Sequence, residues 1–385
     1  MLTIKSIKLI NFKCYKSQVF DFTPLTVFCG NNSVGKSTAI QALGILLQSN
    51  FESRVKINGE LVHIGGFKDI HNFSNKDEST LEVTIDSSVV KGTWGYRTSE
   101  NRENLRNNFL PFIGSEEEVA FMASEDASPK SISYQFLQAE RFGPRDNLPL
   151  SEDTRDWDWL GTKGEFTLEV LESLITKKRQ HLDQSDTDAG DPRKHPSLTI
   201  SEVFRNIQAW MGEIAPGYSI NPIRVDDANV SHNTIDTGCG NLTKPINVGF
   251  GYSYSLGLVS ALILAPKGRI VILENPEAHL HPRGQSYLGR LIALAAQAGV
   301  QVIVETHSDH LLNGMRVVAR THEDFDPSIF SLYYISKGNE QSNVEKITLA
   351  KDGKLSNWPD GFFDQQAQDM FSILTGKKDL PLKGK

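Results

Sequence analysis

Polar and apolar residues alternate through "LTIKSIKLI" (2–10), a period of two that predicts a half-buried strand. "QVFDF" (18–22) repeats the alternation after a short polar break and is expected to pair with it as a hairpin. "LTVFC" (25–29) is apolar without a break, as in a strand buried on both faces, and "AIQALGILLQ" (39–48) follows with apolar residues at helical spacing. Further strand-like runs are "LEVTI" (81–85) and "ISYQFL" (132–137). From about 100 to 245 the chain is more polar, with helical patterns at 166–180 and 201–212. Between these, "DQSDTDAGDPRKHPS" (183–197) has almost no apolar residue and reads as an exposed loop. After 245 come "RIVILE" as a buried strand, a helix over 284–298, "VQVIVET" as a strand and a helix over 309–320. This β-α-β-α succession predicts an α/β protein with a parallel sheet covered by helices. We expect the two ends of the chain to share that sheet, as segments 1–98 and 246–350, with 99–245 an inserted, largely helical lobe and 351–385 a tail. There is no internal repeat.

Between the apolar strand and its helix lies "GNNSVGKST" (30–38), which fits G-x-x-x-x-G-K-[ST] at every position. Gly30 and Gly35 permit a backbone wrap whose N–H groups converge on phosphate oxygens, with Asn31, Asn32, Ser33 and Val34 forming the turn between them. The helix that opens at Lys36, Ser37 and Thr38 adds unpaired N–H groups and the positive end of its dipole. Lys36 is suited to neutralise terminal phosphates, and the Ser37 hydroxyl to coordinate Mg²⁺. The order strand, loop, helix is the context a P-loop requires. These nine residues are the candidate ATP cradle.

Composition changes the picture little. With 385 residues, 39% of them hydrophobic, the chain can build one large domain or two smaller ones. A net charge of −7 gives no whole-chain basic field for nucleic acid, and the basic run "TKKRQH" (176–181) reads as a solvated helix end. Cys14, Cys29 and Cys239 are widely spaced, with no pairing or metal pattern, which suits a reducing cytoplasm. No stretch approaches the roughly 20 apolar residues that cross a bilayer, and the N-terminus lacks a signal peptide's apolar run, so we expect a cytoplasmic protein without membrane association.

At the end of "RIVILE" stands "ENPEAHLHP" (274–282), which puts Glu274 where a P-loop enzyme keeps the acid that holds Mg²⁺. The next strand ends in "VETHSDH", placing Thr306 and His307 at the same sheet edge, where ligands of open α/β sheets collect. P-loop, strand-terminal acid with "PEAHLHP" and strand-terminal "THSDHL" together resemble the ABC-type ATPase heads of the SMC, RecF and OLD group. They are particularly similar to the ATPase components of prokaryotic defence systems such as Gabija and Septu. "FLQAERFGPR" (136–145) and "WPDGFFDQQ" (358–366) resemble segments of a subset of these ATPases.

The resemblance implies a mixed-sheet P-loop NTPase head with an antiparallel N-terminal β lobe, acting as a homodimer that sandwiches two ATP molecules. Each P-loop then faces the partner's signature loop, best matched here by "NVGFGYSYSLG" (247–257), with Gly249, Gly251 and Ser253 as its ATP-facing residues. His307 becomes the switch histidine on the γ-phosphate. Many such heads carry Asp-Glu where this chain has Glu274-Asn275, and Asn275 cannot accept a proton near neutral pH. Either Glu277 polarises the attacking water, the assignment we favour, or hydrolysis is intrinsically slow.

Other chemistries have weaker support. His279, His281, His307 and His310 show H-x-H and H-x-x-H spacings but lack an H-E-x-x-H frame or a cysteine set. "GYSYS" (251–255) lacks the closing glycine of a nucleophile elbow, and no N/T-K-x-D segment specifies guanine. Arg141 and Arg145 are open between phosphate or interface arginines and an internal ion pair with Glu140 or another acid. No acidic nuclease module of the OLD kind is recognisable after the head. The resemblance therefore implies a slow Mg²⁺-dependent ATPase that regulates a separate effector, a nuclease or toxin, in phage defence, with room for a higher oligomer. The alternative is a RecF-type DNA-maintenance ATPase for which nucleic-acid binding is the main event.

Overall fold

The computed structural model describes residues 3–72, 74, 80–97, 108–123, 132–151, 158–177, 181–182, 190–238, 240–359, 361–363 and 365–376. The N-terminal quarter holds β1 (Ile4–Phe12), β2 (Tyr15–Asp21), β3 (Leu25–Gly30), α1 (Lys36–Leu47), β4 (Arg54–Lys56), α2 (Phe67–Ile70), β5 (Leu81–Ser87) and β6 (Lys91–Tyr96). The middle holds β7 (Phe109–Pro111), α3 (Glu116–Ala123), β8 (Tyr134–Leu137), β9 (Leu148–Pro149), α4 (Thr167–Thr176), α5 (Val203–Ile214), β10 (Ser219–Val225), β11 (Val230–Asp236) and β12 (Leu242–Thr243). Then come α6 (Phe250–Leu264), β13 (Ile270–Glu274), α7 (Pro282–Gln297), β14 (Gln301–Glu305), α8 (Asp309–Thr321), β15 (Phe330–Ser336), β16 (Asn343–Thr348) and α9 (Gln365–Thr375).

The central sheet runs β16-β15-β3-β14-β13-β8, parallel except for β16 at one edge. Its inner strands are largely apolar on both faces, and the faces separate cleanly. Leu25, Val27, Val271, Leu273, Val302 and Val304 point to one core, while Phe28, Ile272, Ile303 and Ile335 point to the other. Helices α4 to α8 cover the first face. The second is covered by α1 and by an antiparallel sheet of order β2-β1-β5-β6, the expected N-terminal β lobe.

Polar pairs fix the two sheets to one another. The Gln301 side-chain amide accepts from Ile4 N at 2.8 Å and donates to Ile4 O at 2.7 Å. The Tyr333 hydroxyl likewise accepts from Asp21 N and donates to Asp21 O, both at 2.9 Å. The first closes a backbone pair at Ile4 that burial would otherwise leave open.

The middle segment departs from the expected separate helical lobe. β8 lies inside residues 99–245 yet is an edge strand of the central sheet, parallel to β13, and β7 pairs with β4. Helices α4 and α5 pack into the same core as α6 and α7. The segment also carries a sheet of its own, β10-β11-β12 with β9 on β11, so among its described residues strands stand beside the helices. The reason is local: β11 buries Ser231 and Asn233 on its inward face, so its polar residues do not mark the outside.

Candidate nucleotide-binding site

Between β3 and α1 the backbone takes conformations that few residues tolerate. Gly30 has φ +139° and a Cβ there would lie 2.0 Å from Ile335 O; Gly35 has φ +113° and a Cβ would meet Cys14 Sγ at 2.4 Å. Ser33 is also left-handed, at φ +61°. Asn31, Asn32 and Ser33 are exposed at the turn, whereas Val34, Lys36 and Thr38 are buried. The Tyr15 hydroxyl donates to Gly35 O at 3.0 Å and the Ser342 hydroxyl to Val34 O, holding the loop from two sides. Lys36 Nζ donates to Asn31 O at 2.6 Å, folding the side chain back over the concave loop. Burial lowers the Lys36 pKa, with Glu305 and Glu277 working against that shift.

The strand order decides which acids meet this loop. β14 lies between β3 and β13, so Glu305 pairs in register with Phe28 on one side and Glu274 on the other. The Ser37 hydroxyl donates to Glu305 Oε1 at 2.8 Å. Glu274, the expected metal acid, instead accepts from Ala139 N at 3.1 Å; burial pushes its carboxyl up to about 7. Burial also raises Glu305, opposed by its bond from Ser37 and by Lys36. Glu305 is not among the residues the sequence motif singles out; those are Thr306 and His307, one and two residues on. Its signal was a strand-terminal acid on the strand that abuts the P-loop strand.

Glu277 receives two hydrogen bonds from the end of β14: Thr306 Oγ1 to Oε2 at 2.8 Å and His307 N to Oε1 at 2.7 Å. It thus clamps the His307 turn, leaving the imidazole exposed beside Lys36 and the Gly30 carbonyl; burial and then Lys36 lower the His307 pKa. Asn275 is left-handed at φ +44°, a conformation asparagine adopts more readily than most residues. Its N–H donates to Glu305 O at 2.9 Å, and its Oδ1 is buried without a hydrogen-bond partner among the described residues.

Arg141 answers the question left open for it. It is 4% exposed and forms no ion pair among the described residues; Nη1 donates to Gln138 O and Glu274 O, both at 2.7 Å, and Nη2 to Asn275 O at 2.9 Å. It therefore pins the turn after β13 and lies over the Tyr254 ring at 5.3 Å. Burial lowers its pKa to about 10. Arg145 is exposed over Phe142, and Glu140 pairs with Lys163.

Gly249 is the N-cap of α6, so the helix begins before Ser253 and places that residue, half-buried, in its first turns. The N–H groups of Phe250 and Gly251 have no backbone partner among those described. A Cβ on Gly251 would lie 2.7 Å from His279 O, so this glycine lets the helix start sit against the "ENPEAHLHP" turn. Among the described residues no group of three or more His, Cys, Asp and Glu is arranged to hold a metal, so the four histidines do not converge. Cys239 and residues 178–180 of the basic run lie outside the described residues.

A P-loop strand, two strand-terminal acids, a histidine turn and a glycine-bearing helix start, gathered on a mixed sheet, give the fold of an ABC-type ATPase head, similar to those of the SMC and OLD group. Residues 25–313 match the family described as "AAA domain, putative AbiEii toxin, Type IV TA system", and the chain belongs to that family. Residues 326–373 match a "Protein of unknown function (DUF3696)". The "OLD nuclease" of Thermus scotoductus (strain ATCC 700910 / SA-01) is 21% identical over 352 residues, covering 83% of this chain. This chain spans 63% of that relative's length. Among solved structures, an SMC head bound to the C-winged helix domain of ScpA superposes with a TM-score of 0.54 at 16% identity, covering 90% of this chain and 98% of that one. An SMC head with an extended coiled coil, bound to the C-terminal domain of ScpA from Pyrococcus furiosus, gives 0.50 at 15% identity, covering 97% and 100%. These likenesses concern the fold. No helix among the described residues is long and apolar enough to cross a membrane.

Proposed function

We propose that this protein binds ATP with Mg²⁺, closes into a homodimer around two nucleotides, and hydrolyses them slowly to regulate a separate effector protein in phage defence. The observation that carries the nucleotide part is the P-loop itself. Two glycines stand at φ values that side chains disfavour, Lys36 is folded onto the loop, and Ser37 bonds a buried carboxylate. The donor set is oxygen only, the Ser37 hydroxyl with the Glu305 and Glu274 carboxylates, which suits Mg²⁺ and not a soft metal. Bound there, the ion would neutralise charge that builds up as the γ-phosphoryl leaves.

This chain's own residues divide the remaining work. Lys36 leaves Asn31 O for phosphate oxygens. His307, held by Glu277, stands beside the P-loop to contact the terminal phosphate. The orphan Oδ1 of Asn275 orients a water without taking its proton, which accounts for slow turnover. Glu277 is the favoured proton acceptor, provided that nucleotide binding loosens its bonds to Thr306 and His307. The glycine-lined start of α6 supplies N–H groups to the ATP of a second protomer.

The effector and defence roles rest on the family and on the likeness to the OLD nuclease, and a RecF-like role in DNA maintenance is the competing assignment. ATP titration of the wild type and Lys36→Ala is the test. We expect micromolar-range binding to fall at least about 100-fold in the variant, because charge-assisted phosphate contacts are the strong ones, with slow ATPase activity lost and the melting transition intact. Equal binding by both proteins contradicts the site.

A further inference from the structure

We propose that Glu305 is the acid that, with Ser37, holds the Mg²⁺ accompanying the nucleotide, a role the sequence motif assigns to Glu274. This inference rests on the nucleotide-site reading above and refines it.

The sheet order supplies the first reason. β14 is the immediate neighbour of β3, and β13 is one strand further out. Strands are spaced about 4.8 Å apart, so the backbone of Glu274 starts roughly 10 Å from the P-loop strand and that of Glu305 half as far. Thr306 N donates to Phe28 O at 3.0 Å, which fixes Glu305 beside the strand that feeds the loop.

The second reason is the direct bond from Ser37 Oγ to Glu305 Oε1 at 2.8 Å. The Ser37 oxygen is the one a P-loop gives to its metal, so a carboxylate already bonded to it lies within reach of the same ion or its water shell. Among the described residues the Glu274 carboxylate makes no bond to residues 30–38; the one hydrogen bond it accepts comes from Ala139 N.

The third reason is unbalanced charge. Glu305 is 4% exposed, and Glu274 is its register partner. Among the described residues neither forms an ion pair with a lysine or arginine, and Lys36 is turned to the Asn31 carbonyl. Each carboxylate keeps one oxygen with no hydrogen-bond partner among those residues. Two adjacent, largely desolvated carboxylates that feel Lys36 and Arg141 only without direct ion pairs are unfavourable, and a divalent ion at their edge relieves both. Mg²⁺ characteristically takes one or two carboxylates together with phosphate and water.

A purely structural role, in which Glu305 only positions Ser37, makes a different prediction from a metal role. ATP affinity is measured for wild type, Glu305→Gln and Glu274→Gln, with Mg²⁺ and with EDTA, alongside the EPR signal of Mn²⁺ added with ATP. We expect Glu305→Gln to bind ATP in EDTA about as the wild type does. It should lose at least about tenfold of the Mg²⁺ enhancement, the scale on which removing a metal's supporting group acts, and broaden less of the Mn²⁺ signal. Should the glutamine variant fail to melt cooperatively, Glu305→Asp, which keeps the charge but withdraws it, should show the same selective loss. A folded Glu305 variant that retains the full Mg²⁺ enhancement overturns the proposal, whatever Glu274→Gln does. Absence of ATP binding by the wild type in both conditions defeats the nucleotide-site reading itself, a result distinct from loss of the metal effect alone.

Discussion

At Asn275 the chain departs from many ABC-type heads, and the backbone there shows what the departure achieves. A left-handed turn at φ +44° suits asparagine, and three donors of Arg141 hold the surrounding carbonyls. The price is a missing proton acceptor at the position that follows Glu274. Glu277 is the nearest replacement by sequence, but both of its oxygens are engaged by the Thr306–His307 turn. Glu277→Gln should lower turnover at least about tenfold, since a positioned base typically contributes 10²- to 10⁴-fold and a lost clamp adds to that. ATP-held dimers of the variant should persist as long as, or longer than, those of the wild type. Steady-state ATPase assays with dimer-lifetime measurements check this, and unchanged turnover removes Glu277 from the chemistry. At this scale the placement of the P-loop, Glu274 and His307 at one end of the sheet was legible in the sequence because a contiguous motif carries each. The bond from Ser37 to Glu305 was not, because it depends on which strand lies beside which.

Among the elements, α6 joins the site to the core. It is buried from Ser255 to Leu264, and its C-terminal carbonyls are taken by one side chain: Arg193 Nη1 donates to Leu262 O and Ile263 O at 3.1 Å and to Ala265 O at 2.6 Å. A guanidinium at a helix C-terminus meets both the unpaired carbonyls and the negative dipole end. Asp191, at 2.7 Å, balances its charge, and both side chains are nearly inaccessible to solvent. Arg193→Met should therefore destabilise the fold by about 3–5 kcal/mol, the cost of leaving one member of a buried pair uncompensated. Urea unfolding checks the value, and a change below about 1 kcal/mol contradicts this account of α6. Arg193 sits in the polar stretch that the sequence presents as an exposed loop; its three-residue neighbourhood gives no sign that it docks on a distant helix. Strands with continuous apolar runs, such as β3, β13 and β14, were legible. The β10–β11 hairpin was not, because Ser231 and Asn233 face inward and break the correspondence between polar and exposed.

Across the whole molecule, the sheet order β16-β15-β3-β14-β13-β8 carries the P-loop, both strand-terminal acids and His307 to one edge. The succession of strands and helices after residue 245 predicted that shared sheet. The inserted middle was harder to foresee, since β8 joins the sheet across a long sequence separation and only tertiary pairing reveals it. Phe250, 56% exposed at the start of α6, and Ile246, 53% exposed just before it, leave apolar surface beside the glycine-bearing turn. Such surface is expected where a second protomer closes over nucleotide. On the proposed mechanism, ATP joins two copies through this turn. Sedimentation velocity with Mg²⁺ and a non-hydrolysable ATP analogue tests it most directly, comparing wild type with Ser253→Arg. The account predicts that the analogue shifts the wild type from monomer to dimer mass, and that Ser253→Arg binds the analogue yet stays monomeric. A wild type that binds the analogue without changing mass, or a Ser253→Arg variant that dimerises normally, contradicts it.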